Sequence, residues 1–144
     1  MKIYFCGSIR GGRDLADSYA KMIEMLGTYG KVLTEHLGSN EEIEIKDRIL
    51  SDKAIHDRDF QWIIESDLLV AEVTIPSLGV GYEIGRAVEL GKTVLCLFKK
   101  NSDYTISAMI SGSDQVKMKY YTNLKEVQDI FSEFFKSYVP HRIS

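Results

Sequence analysis

Short apolar runs alternate with longer amphipathic stretches along all 144 residues, and that alternation leaves few folds open. Ile3–Cys6, Lys31–Thr34, Leu68–Val73 and Thr93–Phe98 are brief, mostly β-branched or aromatic, and bounded by Gly, Asp or Lys, as buried strands are. Gln115–Tyr121 is a fifth, weaker candidate. Its Val116, Met118 and Tyr120 alternate with polar residues, as on an edge strand with one wet face. Helical patterns lie between these runs. Arg13 to about Leu26 carries Leu15, Tyr19, Met22, Ile23 and Leu26 at helical spacing. Ile49–Glu65 is a second helix and Gly79–Leu90 a third, closed by Gly91 as a C-terminal cap. Ile106–Ile110 makes a short helix, and Leu124–Tyr138 puts Val127, Ile130, Phe131, Phe134 and Phe135 on one face. Strands alternating with helices predict βαβ units and a parallel sheet covered on both faces. In such sheets ligands bind beyond the carboxyl ends of the strands, at the switch point in strand order. The loops after the strands are therefore where chemistry is expected.

The chain is long enough for one domain, spanning residues 1–144, and too short for two ordinary ones. With 44% apolar and 27% charged residues it has globular usage, which excludes disorder of the whole chain. A net charge of −3 and the absence of a Lys/Arg cluster argue against a nucleic-acid polymer as partner. Cys6 and Cys96 each sit in an apolar run and read as small buried hydrophobes in a reducing compartment. No metal-ligand spacing such as CxxC or HExxH occurs, so neither metal nor cofactor is expected. No apolar stretch suffices to span a membrane, and the first residues read as a strand rather than a secretory signal. The expectation is an intracellular protein, cytoplasmic or nuclear.

Four motifs carry candidate chemistry. In YFCGSIRGGR (Tyr4–Arg13) a strand runs into a glycine-rich turn and then a helix. Glycines let backbone approach a ligand, amides at a helix start favour an anion, and Ser8 and Arg10 add phosphate-suited donors. In PSLGVGYEIGRA (Pro76–Ala87), Ser77, Gly79 and Gly81 form a second small-residue turn at a helix start. There Glu83 flanks the buried stripe of Val80, Ile84, Ala87 and Val88, whereas Glu89 faces solvent. A partly buried carboxylate in the first helical turn is expected to be held ionised by the N-terminal partial charge, which suits a nucleophile. An ion pair from Glu83 to Arg86 or Arg10 is the structural alternative. In HDRDFQW, Asp59 shares a face with Ile55, Trp62 and Ile63, and a carboxylate amid apolar residues needs a partner or a task. In LTEH, His36 ends the second strand and is a candidate contact to a leaving base; His56 and His141 read as surface residues. Two carboxylates beside a phosphate crevice suit glycosidic cleavage, in which one attacks the anomeric carbon and another group protonates the leaving atom. Tyr4, at the end of the first strand, is placed to hydrogen-bond the attacking carboxylate. The Glu-rich segment Leu37–Lys46 is expected to be a mobile loop.

Together YFCGSIRGGR, LTEH, the Asp of HDRDFQW, SDLLVAEVTIPSLGVGYEIGRA, LCLF and ISAMI resemble the 2′-deoxynucleoside 5′-phosphate N-hydrolases of the nucleoside 2-deoxyribosyltransferase superfamily, from Lys2 to about Phe135. The resemblance implies a Rossmann-like (flavodoxin-like) doubly wound α/β fold, with a five-stranded parallel sheet in three α/β/α layers, active as a homodimer. It implies Glu83 as nucleophile, forming a deoxyribosyl-enzyme intermediate that water resolves. Tyr4 would orient Glu83, Asp59 would contact the sugar and help proton transfer, and His36 would sit by the base. The substrate, a deoxynucleoside monophosphate, would lie among Gly7, Ser8, Ile9, Arg10, His36, Ser77, Gly79, Ser107 and Met109. Its 5′-phosphate would be held by Ser8, Arg10, Ser77 and Gly79, and by Ser107 across the dimer interface. Segment 37–46 and the tail after Tyr138 match this family poorly. A 2-deoxyribosyltransferase, which passes the sugar to a second base, shares the nucleophile but needs no phosphate cradle. A nucleotide-binding module without turnover is the alternative from another class.

Overall fold

Five parallel strands form the sheet in the order β2-β1-β3-β4-β5. The computed structural model describes residues 1–9, 13–34 and 49–140. Its elements are β1 (Lys2–Gly7), α1 (Arg13–Gly27), β2 (Lys31–Val32), α2 (Asp52–Glu65), β3 (Leu68–Glu72), α3 (Leu78–Glu89), β4 (Thr93–Lys99), α4 (Ala108–Ser111), β5 (Val116–Tyr121) and α5 (Leu124–Ser137). The strand order reverses between β1 and β3, which pair in register from Ile3–Leu68 to Gly7–Glu72. That places the switch-point crevice beyond Gly7 and Glu72, as the sequence pattern required.

Period-two alternation divides the strands between two cores. One face carries Ile3, Phe5, Leu68, Val70, Leu95 and Leu97 against Met22 and Leu26 of α1 and Val127, Phe131 and Phe134 of α5. The other carries Tyr4, Cys6, Leu69, Ala71, Val94 and Cys96 against Ile63 of α2 and Val80, Ile84 and Ala87 of α3. Full burial of each large side chain contributes about 1.5–3 kcal/mol, so these stripes hold the three layers together. No helix among the described residues is long and apolar enough to cross a membrane.

Caps set the element limits. Ser51 accepts from Ala54 N–H and starts α2 at Asp52, three residues later than periodicity suggested. Asn123 caps α5 in the same way. Gly91, at φ +71°, ends α3 in the left-handed region that glycine tolerates. The second strand stops at Val32, two residues earlier than expected. There the Thr34 hydroxyl replaces the ladder, accepting from Phe5 N–H at 3.0 Å and donating to Phe5 C=O at 2.6 Å. On the edge strand β5 it is Tyr121, not Tyr120, that turns inward; Tyr120 is exposed.

Candidate active site

A cleft of about 220 Å³ opens between α2 and α3. From α2 it takes Asp52, Ile55, His56, Asp59, Phe60 and Ile63, a spacing that puts all six on one helical face. From α3 it takes Gly79, Tyr82 and Glu83. The floor beside Glu83 is β1. Tyr4 is buried beside Glu83, and its hydroxyl favours the ionised carboxylate. The Cys6 thiol, two residues on and on the same strand face, favours the ionised carboxylate as well. Burial first, and then the Glu83 charge, pushes the Tyr4 phenol up, so it stays a proton-bearing donor.

Glu83 departs from the expectation in one respect. Helix α3 starts at Leu78, so Glu83 lies in the second turn, where the N-terminal partial charge has largely faded. Burial is the main influence and pushes its carboxyl up to about 7. Tyr4 opposes that rise, Asp59 adds to it, and Cys6 opposes it. Glu83 is thus held close to its proton at neutral pH by a dry, acidic setting, with two donors retaining the ionised form. Nor does Glu83 pair with Arg86. That guanidinium donates to the Tyr82 hydroxyl at 2.5 Å and sits 3.9 Å above the Phe60 ring centroid.

Asp59 faces the same cleft, partly exposed, and accepts from Arg58 Nε at 2.9 Å. The two carboxyl groups read from separate motifs therefore share one cavity. Tyr4 lies in the middle of β1 rather than at its end, and reaches Glu83 across the strand face. Ser77 is the N-cap of α3, accepting from Val80 N–H at 3.3 Å. A methyl group at Gly79 would stand 3.9 Å from both Glu83 Oε1 and Ser77 Oγ, so the hydroxyl and the carboxylate flank the same open corner. Gly7 has a packing reason of its own. A side chain there would meet the Tyr19 ring at 2.7 Å. Ser8 is buried beside it and Ile9 is exposed. Ser107 caps α4. With Ser77 it lines a second groove of about 720 Å³ between α3 and α4, away from the Glu83 cleft. Met109 projects from its rim. Arg10, Gly11, Gly12, His36, His141 and segment 37–46 lie outside the described residues.

Two contributors escaped the sequence reading. Cys6 is buried, as expected, yet its thiol acts on Glu83; only its two-residue offset from Tyr4 hinted at a shared face. His56 is exposed, as expected, but its Nε2 lies 2.8 Å from the Tyr82 hydroxyl, bridging α2 and α3 at the cleft.

A profile of the nucleoside 2-deoxyribosyltransferase family matches residues 3–136. The 5-hydroxymethyl-dUMP N-hydrolase of Tetraodon nigroviridis is 48% identical over 142 residues, covering 95% of this chain and 99% of that protein. The protein of the same name from Danio rerio is 48% identical over 139 residues, covering 95% and 97%. Among solved structures, the Clostridium botulinum CMP N-glycosidase BcmB superposes with a TM-score of 0.64 over 93% of this chain and 99% of its own, at 18% identity, which is a likeness of fold.

Proposed function

The chain belongs to the nucleoside 2-deoxyribosyltransferase family, and from that premise we propose that it hydrolyses the N-glycosidic bond of 2′-deoxynucleoside 5′-monophosphates. The observation that carries this reading is the pairing of Glu83 with Asp59 in one cleft, with Tyr4 beside Glu83. In its ionised form Glu83 attacks the anomeric carbon as the bond to the base breaks. Asp59 contacts the sugar and assists protonation of the departing base. Water then resolves the deoxyribosyl ester, releasing 2-deoxyribose 5-phosphate. Tyr4 and Cys6 direct their donors at the carboxylate and fix its aim. Ser8, Ser77 and Gly79 hold the 5′-phosphate at the corner beside Glu83, joined by Arg10, and His36 meets the base.

The test is a chromatographic assay for free base over deoxynucleoside monophosphates, including 5-hydroxymethyl-dUMP, ribonucleoside monophosphates and unphosphorylated deoxynucleosides. Release confined to the deoxy monophosphates is expected. Equal turnover of unphosphorylated deoxynucleosides would sink the phosphate assignment, and tight binding with no release would favour a binding module. Recovery of a new nucleoside when a second free base is supplied would mark a transferase.

The active unit in this reading is a homodimer. Leu78 is 97% exposed and Met109 84% exposed, both on the apolar groove that holds Ser77 and Ser107. Large apolar side chains so presented favour a second copy over water. A partner seated there brings the partner subunit's Ser107 toward the Ser77 corner. Leu78→Glu is then expected to give a monomer in sedimentation, with KM for the monophosphate raised about tenfold or more. A wild-type chain that is monomeric while fully active would exclude this arrangement.

A further inference from the structure

The strand LLVAEV carries one carboxylate that the proposed mechanism does not use. Glu72, the last residue of β3, is 0% exposed and points to the face of the sheet opposite Glu83. Its Oε1 accepts from Thr74 N–H at 2.6 Å, and its Oε2 accepts from the Tyr121 hydroxyl at 2.5 Å. The Thr74 hydroxyl in turn accepts from Lys99 N–H at 2.8 Å. Lys100 N–H closes onto the Tyr121 carbonyl at 2.8 Å. The carboxyl ends of β3, β4 and β5 are thus tied at one buried group.

The same group faces the turn after β1. Tyr19 of α1 lies against Gly7, with its buried hydroxyl beside the Ser8 backbone and no partner at hydrogen-bonding geometry among the described residues. Burial and then Glu72 push that phenol up. Glu72 therefore stands beneath both turns that lead to candidate phosphate donors, Ser8 after β1 and Ser77 three residues beyond Thr74. An apolar residue here would leave the Thr74 amide and the Tyr121 hydroxyl buried without their acceptor, at the full desolvation penalty of each group. What an apolar residue cannot do is fix the Thr74 amide and the Tyr121 hydroxyl in one geometry.

We propose that Glu72 is a positioning residue for phosphate recognition, holding the turns that carry Ser8 and Ser77 at the spacing a 5′-phosphate needs. The inference rests on the phosphate assignment above. It predicts an effect on binding rather than on the chemical step, because Glu72 lies on the face of the sheet away from Glu83.

The experiment compares Glu72→Gln, Tyr121→Phe and, as a packing control on the same strand face, Val70→Ala. For each, kcat and KM for a deoxynucleoside monophosphate are measured, with inhibition by inorganic phosphate and the melting temperature. Glu72→Gln and Tyr121→Phe are expected to raise KM and the inhibition constant of phosphate together, about tenfold, with kcat changed less than about threefold. Val70→Ala is expected to lower the melting temperature and leave both constants unchanged. If Glu72→Gln does not fold, Tyr121→Phe decides, since it removes one donor and leaves Thr74 in place. KM and phosphate inhibition unchanged in a folded Glu72→Gln or Tyr121→Phe would overturn the proposal. A wild-type protein that phosphate does not inhibit would overturn the phosphate assignment itself, and this inference with it.

Discussion

Glu83→Gln is expected to abolish base release, lowering kcat by about 10⁴-fold or more, while the substrate still binds. An amide cannot form the glycosyl ester, yet its carbonyl can still accept the Tyr4 and Cys6 donors, so the cleft keeps its shape. The same substitution has a signature in stability. The Glu83 carboxyl is held up at about 7 against an ordinary 4.5, so the folded protein grips this proton more tightly than the unfolded chain does. Its favourable contribution is complete below about pH 4.5 and is lost as pH rises through about 7. Above neutral pH the wild type bears the cost of an ionised carboxylate in a dry cleft, and glutamine does not. Glu83→Gln should therefore melt higher than the wild type at pH 8, by an amount equivalent to at most about 3 kcal/mol, with the gap closing toward pH 5. Calorimetry at the two pH values with a single-turnover assay reads both effects. Retention of a tenth or more of the wild-type rate would remove Glu83 from the role of nucleophile.

Asp59→Asn is the second large effect. Loss of its part in proton delivery should lower kcat about 10²–10⁴-fold for a poor leaving base, and less for a base that departs readily without a proton. Asp59 also raises the Glu83 carboxyl, so the asparagine variant should ionise Glu83 at lower pH. In the wild type kcat/KM is expected to fall about tenfold per pH unit on the acid side of a midpoint near 7. In Asp59→Asn that limb should move to lower pH even as the plateau drops. A variant with full activity and an unmoved limb would show that Asp59 neither assists the departing base nor feels Glu83.

The two effects meet at one physical point. Burial that raises the Glu83 carboxyl also strengthens any charge–dipole interaction in the cleft, since water does not screen it there. The donors from Tyr4 and Cys6 are what keep the ionised form within reach near neutral pH. A nucleophile held so is less solvated, and more reactive for its charge, than one on an open surface.

Much of this protein follows from the sequence alone. Alternating apolar runs and helical stripes determined the parallel sheet and its two covered faces, because periods of two and 3.6 residues leave little choice of element. The small-residue start of α3 and the positions of Glu83 and Asp59 on helical faces were legible for the same reason: spacing decides which side chains share a face. Tertiary structure decided the rest. The start of α3 at Leu78 depends on the Ser77 cap, and it moved Glu83 out of the first turn, so burial rather than the helix end governs its proton. The thiol of Cys6 comes to act on Glu83 only because α3 packs on the sheet face that Cys6 shares. Gly7 is glycine because Tyr19, twelve residues on, occupies the space beside it. Glu72 reads as a strand residue like its neighbours until the sheet brings Tyr121, forty-nine positions away, onto its carboxylate. Local spacing is a property of the chain, whereas proton affinity and hydrogen-bond partners depend on what distant segments place around a group, and those neighbours exist only after folding.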